Sequence, residues 1–196
     1  MFGNFFRPVT KRFVEQRILE THPMHLFRII QDVDAYSEFL PLCSQSEILK
    51  VYNGGRTFEA TLSVGLPWGP GLQETYLSQV QVQPETMTIK TTSIQSQLFD
   101  SLKSTWKLGE AAARRKVDGS DKSEDAFVVE PFCDVDFEVE MTVRDSAIAH
   151  ILDRILKIVA QRQVEAFDQR CKEIPLPEDI KVAIRKNAAT ETEKRQ

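Results

Sequence analysis

The sequence contains few of the residues that build covalent or metal-bound frameworks. It has three cysteines, Cys43, Cys133 and Cys171, which are far apart and include no CxxC pair. An odd number of isolated cysteines excludes a disulfide framework, and no Cys/His spacing typical of a zinc site is present. We therefore predict no metal site, and a reducing compartment is the simpler interpretation.

Positive charge and long apolar runs are also scarce. The net charge is -4, from 25 Lys and Arg against 29 Asp and Glu. This balance lacks the basic stripe typical of nucleic-acid-binding proteins, so we predict no nucleic-acid partner. No apolar run is long enough to cross a bilayer. The sequence also contains neither a P-loop nor a GxGxxG motif.

The titratable residues form no convincing catalytic set, so we predict no catalytic residue. The three histidines, His22, His25 and His150, have no third ligand or motif nearby, and we interpret them as surface residues. Four carboxylates at period two are interpreted as the outer face of a strand, where they aid solubility and protect a sheet edge; these are Asp134, Asp136, Glu138 and Glu140.

Residues 132–174 carry the strongest structural pattern of the chain. Residues 132–143 alternate apolar and acidic side chains, which predicts a strand with one covered face. A long amphipathic helix follows, and Pro175 and Pro177 end it. The strand face and the helix stripe must bury each other. We therefore predict a helix laid across an antiparallel sheet, an arrangement that can enclose an apolar cavity.

The remaining pattern gives a run of strands with helices at the ends, which is typical of the α+β class. We predict strands at 13–19, 46–52, 56–66, 73–83, 85–94, 101–110 and 132–143, with two short helices at about 21–33 and 34–39. Thr21 is the predicted cap of the first helix.

Both ends of the chain differ from the middle. Residues 1–11 are basic and aromatic, a bias shared by mitochondrial transit peptides and by ordinary frayed N-termini, and both interpretations stay open. Residues 175–196 are charged and mixed in sign, and we predict a mobile tail with at most a weak helix. Between them, 111–125 is polar and is interpreted as a mobile hairpin loop.

The segment 64–72 is too apolar for an ordinary exposed turn. Its glycines, prolines and Trp68 are typical of a cavity lid or a membrane contact, although Leu66 and Trp68 could also fold back onto the core. Glu74 and Tyr76 share one face of the following strand and are the best available acid–base pair.

Several segments resemble the coenzyme Q-binding START-domain proteins. Residues 36–43 (YSEFLPLC) are similar to the family pattern Y-x-x-F-L-P-W-C, and 98–106 to L-F-x-x-L-x-x-T-W. Further matches occur at 64–67, 74–80, 133–137 and 164–167, in the family's order, so that the resemblance covers roughly residues 12–174. The chain departs from the pattern at Leu42, where the family has tryptophan, and in a longer loop at 111–125.

The resemblance implies a helix-grip fold, in which a curved antiparallel sheet wraps around a long C-terminal helix and two short helices follow the first strand. It implies a lipid-binding domain at 12–174 that holds ubiquinone, or a related prenyl quinone, as bound ligand with no other cofactor. It also implies a non-enzymatic lipid chaperone or carrier that supports respiration and quinone synthesis. The expected location is peripheral, on the matrix side of the mitochondrial inner membrane, with quinone-synthesis or respiratory-complex proteins as partners.

The predicted ligand-binding residues are apolar or aromatic side chains that face the expected cavity, and Tyr76 is expected to donate to a quinone carbonyl. They are Phe39, Leu40, Val64, Leu66, Trp68, Tyr76, Phe99, Trp106, Phe137, Val139, Met141, Leu152, Val159 and Phe167. Two alternatives stay open. One is a cyclase or aromatase of the same superfamily that uses Glu74 and Tyr76, and the other is an interaction module resembling ribosome-association toxins.

Overall fold

A computed structural model describes residues 8–65, 73–97, 99–111, 132–143 and 146–193, with side chains described except at 146–155, 185 and 187–193. The strands are β1 (Val9–Leu19), β2 (Cys43–Tyr52), β3 (Thr57–Gly65), β4 (Gln73–Gln83), β5 (Thr88–Gln95), β6 (Ser101–Ala111) and β7 (Phe132–Val143). The helices are α1 (Pro23–Gln31), α2 (Tyr36–Phe39), α3 (Ser146–Glu173) and α4 (Glu178–Glu193). The predicted α+β class is confirmed.

The seven strands form one antiparallel sheet in the order β1-β7-β6-β5-β4-β3-β2. β7 therefore lies between β1 and β6, and the prediction that its carboxylates protect a sheet edge is wrong. They pair with side chains of the neighbouring strands instead. Arg12 Nε lies 2.6 Å from Glu138 Oε1, Gln16 donates to Asp136 over 2.6 Å, and Lys103 pairs with Glu140.

The long helix α3 packs mainly against β1 and β7 and against the short helices α1 and α2. Its buried residues recur at helical spacing: Leu156, Ala160, Val164, Phe167 and Cys171. Three of them, Leu156, Val164 and Phe167, belong to the predicted apolar stripe, whereas Ile158, which was also assigned to that stripe, is 51% exposed. Because α3 contacts one side of the sheet, the inner faces of β3, β4 and β5 are left to form the wall of a space beneath the helix.

The start of α1 corrects two predictions. The N-cap is His22 rather than Thr21, since Pro23 occupies the first turn and His22 Nδ1 accepts a hydrogen bond from the Met24 amide over 3.1 Å. His25 is not a surface residue. It is 3% exposed, and its Nε2 lies 3.2 Å from the Cys171 carbonyl oxygen, which joins α1 to α3. The side chain of His150 lies outside the described residues.

The predicted tail contains a fourth helix where the sequence indicates at most a weak one. Ile180 of α4 is 3% exposed, and Asp179 accepts hydrogen bonds from Arg28 of α1. The buried Ile180 and the Arg28–Asp179 ion pair help to hold the first turn of α4 to the domain. The domain limits at 11, 12, 174 and 175, and the mobility of the tail, stay predictions.

Candidate functional site

A cavity of about 180 Å³ lies between the sheet and α3. Strands β2 to β7 and the segment before β2 supply its wall on the sheet side, and α3 covers it. Eight of the predicted residues line it: Leu40, Val64, Tyr76, Phe99, Phe137, Val139, Met141 and Val159. The alternation of each strand explains this result, because every second side chain points to the same face.

Three predicted residues do not line the cavity. Phe39, Trp106 and Phe167 pack into one aromatic cluster beyond it, together with Tyr36 and Phe137. The Phe167 ring is fully buried and meets the rings of Tyr36, Phe39 and Trp106 edge-on at centroid distances of 5.3, 5.2 and 5.0 Å. The rings that come from α2, α3 and β6 pack against one another beside the cavity rather than lining it.

Three further predicted residues lie outside the described part of the structure: Leu66, Trp68 and the side chain of Leu152. The predicted lid at 64–72 is described only as far as Gly65. The roles predicted for these residues stay predictions.

The cavity is also lined by residues that the sequence reasoning missed: Pro41, Leu42, Cys43, Leu62, Gly65, Thr91, Leu102, Ser104, Leu156, Ala160 and Gln163. Leu62 and Ser104 share a strand face with the predicted residues Val64 and Trp106, so strict use of the two-residue period would have found both. Thr91, Ser104 and Gln163 were missed because only apolar and aromatic side chains were considered.

The segment 40–43 forms one end of the cavity and reaches the surface. Leu42 is 42% exposed and has a φ of 68°, in the left-handed region that a bulky side chain rarely adopts. Its carbonyl oxygen accepts a hydrogen bond from the Gly65 amide over 2.8 Å, which joins this segment to the end of β3. The cavity wall therefore reaches the surface at Leu42, where the segment before β2 meets the end of β3.

Tyr76 is the aromatic hydroxyl of the cavity wall. Burial raises the pKa of its phenol well above the ordinary value, so the neutral donor form persists at all physiological pH values. The Tyr76 ring meets the Phe99 ring edge-on at 6.1 Å. Within the part of the chain that the structure describes, the Tyr76 hydroxyl forms no hydrogen bond.

Glu74, the other member of the predicted acid–base pair, does not line the cavity. Its carboxylate accepts hydrogen bonds from the Ser96 hydroxyl over 2.7 Å and the Gln97 amide over 2.8 Å. Ser96 Oγ in turn accepts from the Phe99 amide over 3.0 Å. Glu74 thus holds the turn that places Phe99 in the cavity wall.

Two further findings limit the chemistry of the site. Over the residues whose side chains are described, no group of three His, Cys, Asp or Glu residues is arranged to hold a metal ion. Among the described helices, none has the length and apolar character needed to cross a bilayer. What the cavity offers is apolar surface with a few neutral hydroxyl and amide groups.

Comparison with known proteins supports the predicted resemblance. The coenzyme Q-binding protein coq10 of Schizosaccharomyces pombe is 32% identical over 100 residues, which cover 50% of this chain and 59% of that protein. The chain thus spans about three fifths of that relative's length. The ribosome association toxin RatA of Rickettsia prowazekii is 25% identical over 164 residues, covering 83% of this chain and 97% of the toxin.

The fold itself is shared with solved structures. A START superfamily protein from Mycobacterium smegmatis superposes with a TM-score of 0.65 at 14% identity, over 84% of this chain and 99% of that one. The predicted helix-grip architecture is confirmed. A family model described as "Polyketide cyclase / dehydrase and lipid transport" matches residues 19–168. The chain therefore belongs to the polyketide cyclase/dehydrase and lipid transport family.

Proposed function

We propose that this protein binds ubiquinone, or a related prenyl quinone, in the cavity under α3 and acts as a non-enzymatic lipid chaperone or carrier. The observation that carries the proposal is the cavity itself, which is closed on one side by a sheet and on the other by a helix. Its wall is mostly aliphatic and aromatic, and its polar groups are neutral. The similarity to a protein named for coenzyme Q binding supports the choice of ligand.

The physical need for such a cavity follows from the ligand. Each buried methylene of an apolar molecule gains about 0.8 kcal/mol on leaving water, so a prenyl quinone does not dissolve freely. A protein that binds it must offer apolar surface that covers at least part of the molecule. Neutral donors such as Tyr76 can then pair with the ring oxygens without the cost of burying a charge.

The cellular setting belongs to the same proposal. We infer a role in supporting respiratory electron transport and quinone synthesis at the matrix side of the mitochondrial inner membrane. Support comes from the S. pombe protein, which is described as mitochondrial. Contacts with quinone-synthesis or respiratory-complex proteins would place the carried lipid where it is used.

Analysis of co-purified lipid tests the proposal directly. The full chain is purified and extracted, and mass spectrometry identifies the bound lipid. Val139→Trp and Ala160→Phe fill the cavity from the sheet and from the helix, and each is expected to lower prenyl quinone loading several-fold. Thr105→Trp, on the outer face of β6, is the matched control and keeps its loading.

Circular dichroism checks that each variant is folded before its loading is compared. Two variants from opposite walls protect the test against the misfolding of either one. Absence of prenyl quinone from the unmodified protein, when isolated from cells that contain it, contradicts the proposal. Unchanged loading in both folded, cavity-filled variants contradicts the assigned site.

A second candidate function is association with the ribosome. The RatA toxin supports it, because the similarity covers nearly the whole of that protein. The net charge of -4 argues against an electrostatic contact with RNA. Sedimentation of a cell extract distinguishes the two candidates, since a ribosome-bound protein migrates with the subunits at low salt and a lipid carrier does not.

The third candidate function is that of a cyclase or aromatase. The family description names cyclases. The position of Glu74 makes it less attractive, because this carboxylate is engaged outside the cavity wall. An enzyme of this type needs an acid or base that faces the substrate.

A further inference from the structure

The cavity wall contains few polar side chains. Thr91 of β5 and Ser104 of β6 are register partners, and both line the cavity. Tyr76 lines it from β4, and Gln163 lines it from α3. Across the described residues, the side chains of all four lack a hydrogen-bond partner.

Thr91 and Ser104 mark the closed end of the cavity. Thr91 lies opposite Val80, which is four positions beyond Tyr76 along β4, or about 13 Å at about 3.3 Å per residue. The next inward-facing residues, Ile89 and Trp106, are 2% and 3% exposed and do not reach the cavity. The other end of the cavity wall reaches the surface, since the lining residue Leu42 is 42% exposed there.

The volume of the cavity matches a ring rather than a prenyl chain. An apolar cavity of about 150 Å³ is enough for one benzene molecule. The cavity of about 180 Å³ therefore accommodates one substituted ring and little more. A tail of several isoprene units must extend past the opening, where Leu42 is 42% exposed.

An unpaired hydroxyl out of contact with water lowers the stability of the complex that buries it. A hydrocarbon tail at the closed end would exclude water from the hydroxyls of Thr91 and Ser104 and offer them no hydrogen-bond acceptor. A quinone ring, in contrast, carries carbonyl oxygens that accept hydrogen bonds from both. Ser78 extends this polar patch, since it is 1% exposed, diagonal to Thr91 in the register and without a partner for its hydroxyl.

We propose that the prenyl quinone binds ring-first, with Thr91 and Ser104 donating hydrogen bonds to the ring oxygens at the closed end and the tail leaving past Leu42. This inference rests on the proposed function and adds the orientation of the ligand and the residues that set its specificity. The site would then select lipids whose buried end carries hydrogen-bond acceptors, and it would discriminate against prenyl hydrocarbons of equal length.

The first experiment measures how much the Thr91 and Ser104 hydroxyls contribute to ubiquinone affinity in the otherwise unmodified chain. Thr91→Val with Ser104→Ala removes both hydroxyls with little change in volume, and equilibrium dialysis measures the affinity for ubiquinone with two isoprene units. We expect Kd to rise about tenfold. Thr92→Val with Thr105→Val alters the outward-facing neighbours on the same two strands and is expected to leave Kd unchanged.

The second experiment locates the ring. The chain has two tryptophans, and Trp68→Phe leaves only Trp106, which packs on the cavity residue Phe137 at a centroid distance of 4.3 Å. A quinone at the closed end lies against Phe137 and accepts an electron from the excited indole behind it, which quenches Trp106 fluorescence at short range, whereas the prenyl alcohol farnesol, which carries no quinone, does not quench it. We expect saturable quenching at the concentrations at which dialysis detects binding to the same variant.

The outcomes separate this inference from the proposed function. Ubiquinone binding without Trp106 quenching, or with equal affinity in the hydroxyl-free and control variants, overturns the ring-first orientation and leaves lipid binding intact. No binding of ubiquinone to the unmodified chain overturns both. If the double variant is unfolded by circular dichroism, the single changes Thr91→Val and Ser104→Ala are measured separately, each expected to raise Kd several-fold.

Discussion

The ring of Phe167 on α3 meets the indole of Trp106 on β6 edge-on, with centroids 5.0 Å apart and planes at 70°. This contact joins α3 to β6 beside the cavity. Phe167 is 0% exposed, so its removal leaves a space that the neighbouring rings cannot fill.

We expect Phe167→Ala to lower the free energy of unfolding by about 3–5 kcal/mol, as for other buried phenylalanines. Urea denaturation measures the change. Leu49→Ala, at a side chain that is 52% exposed on β2, is the control and should stay within about 0.5 kcal/mol of the unmodified protein. Similar losses in both variants would mean that the aromatic cluster does not hold α3 to the sheet.

Glu74 offers a test between a structural and a catalytic role. Glu74→Ala removes the acceptor of the Ser96 and Gln97 hydrogen bonds, and we expect a loss of about 1–3 kcal/mol in unfolding free energy. Glu74→Gln keeps an acceptor and should lose less. Thermal unfolding provides the measurement. A catalytic acid or base would instead lose turnover with stability and ligand binding preserved.

We expect the Arg12–Glu138 ion pair to make a small contribution to the free energy of unfolding that depends on pH. Hydrogen bonds from the Arg12 guanidinium lower the Glu138 pKa from its ordinary value of 4.5. A lowered pKa means that the stabilisation is present above pH 4.5 and is lost as the pH falls through the lowered value. Both side chains are exposed, so solvent screening keeps the contribution small.

A double-mutant cycle with Arg12→Ala and Glu138→Ala isolates this contribution. The coupling free energy should appear at pH 7 and disappear near pH 2, and high salt should reduce it at pH 7. A coupling of the same size at both pH values would contradict the ionic origin of the contact.

The reactivity of the Cys43 thiol is expected to show whether a ligand occupies the cavity, and the other two cysteines serve as references. Cys43 lines the cavity and is half-buried, whereas burial raises the pKa of the Cys133 thiol to about 12 and that of Cys171 to about 11. Iodoacetamide at pH 8 is expected to modify Cys43 slowly and the two buried thiols hardly at all. Saturating ubiquinone should slow the labelling of Cys43 several-fold, as measured by peptide mass spectrometry.

The buried thiols serve as internal controls in that experiment. If bound quinone changes the labelling of Cys133 or Cys171 as much as that of Cys43, the protection reflects a general change in stability. If Cys43 reacts equally fast with and without bound quinone, the ligand does not occupy the end of the cavity nearest β2.

The alternation of apolar and polar residues, together with helical spacing, predicted most of the strands and helices. A strand or helix with one buried face has a recognisable period in its sequence. β4 was predicted with its observed bounds, Gln73–Gln83, and the apolar stripe of α3 was identified from its spacing. The position of β7 inside the sheet was not predicted. Its partner β1 is more than a hundred residues earlier, and the local pattern carries no information on which strands pair.

The sequence predicted many of the apolar residues that line the cavity and missed several of the polar ones. Val139 and Met141 were found because they alternate with acidic neighbours on one strand. Thr91 was missed because a threonine on a strand is compatible with either face, and Ser104 was missed because only apolar and aromatic side chains were considered, although it lies two residues from Trp106 on one strand face. Phe39 and Phe167 were assigned to the cavity because size and hydrophobicity do not distinguish a side chain that lines a space from one that fills it.

The sequence by itself determined the class of the fold, the inner faces of the clearly alternating strands β3 and β7 and the need for a helix to cover the sheet, since these depend on local periodicity and on the burial of apolar surface. Only the tertiary structure decided where the cavity ends and which polar groups face it. Those features depend on how the rings from α2, α3, β6 and β7 fit together in space, and side chains far apart in sequence set that fit.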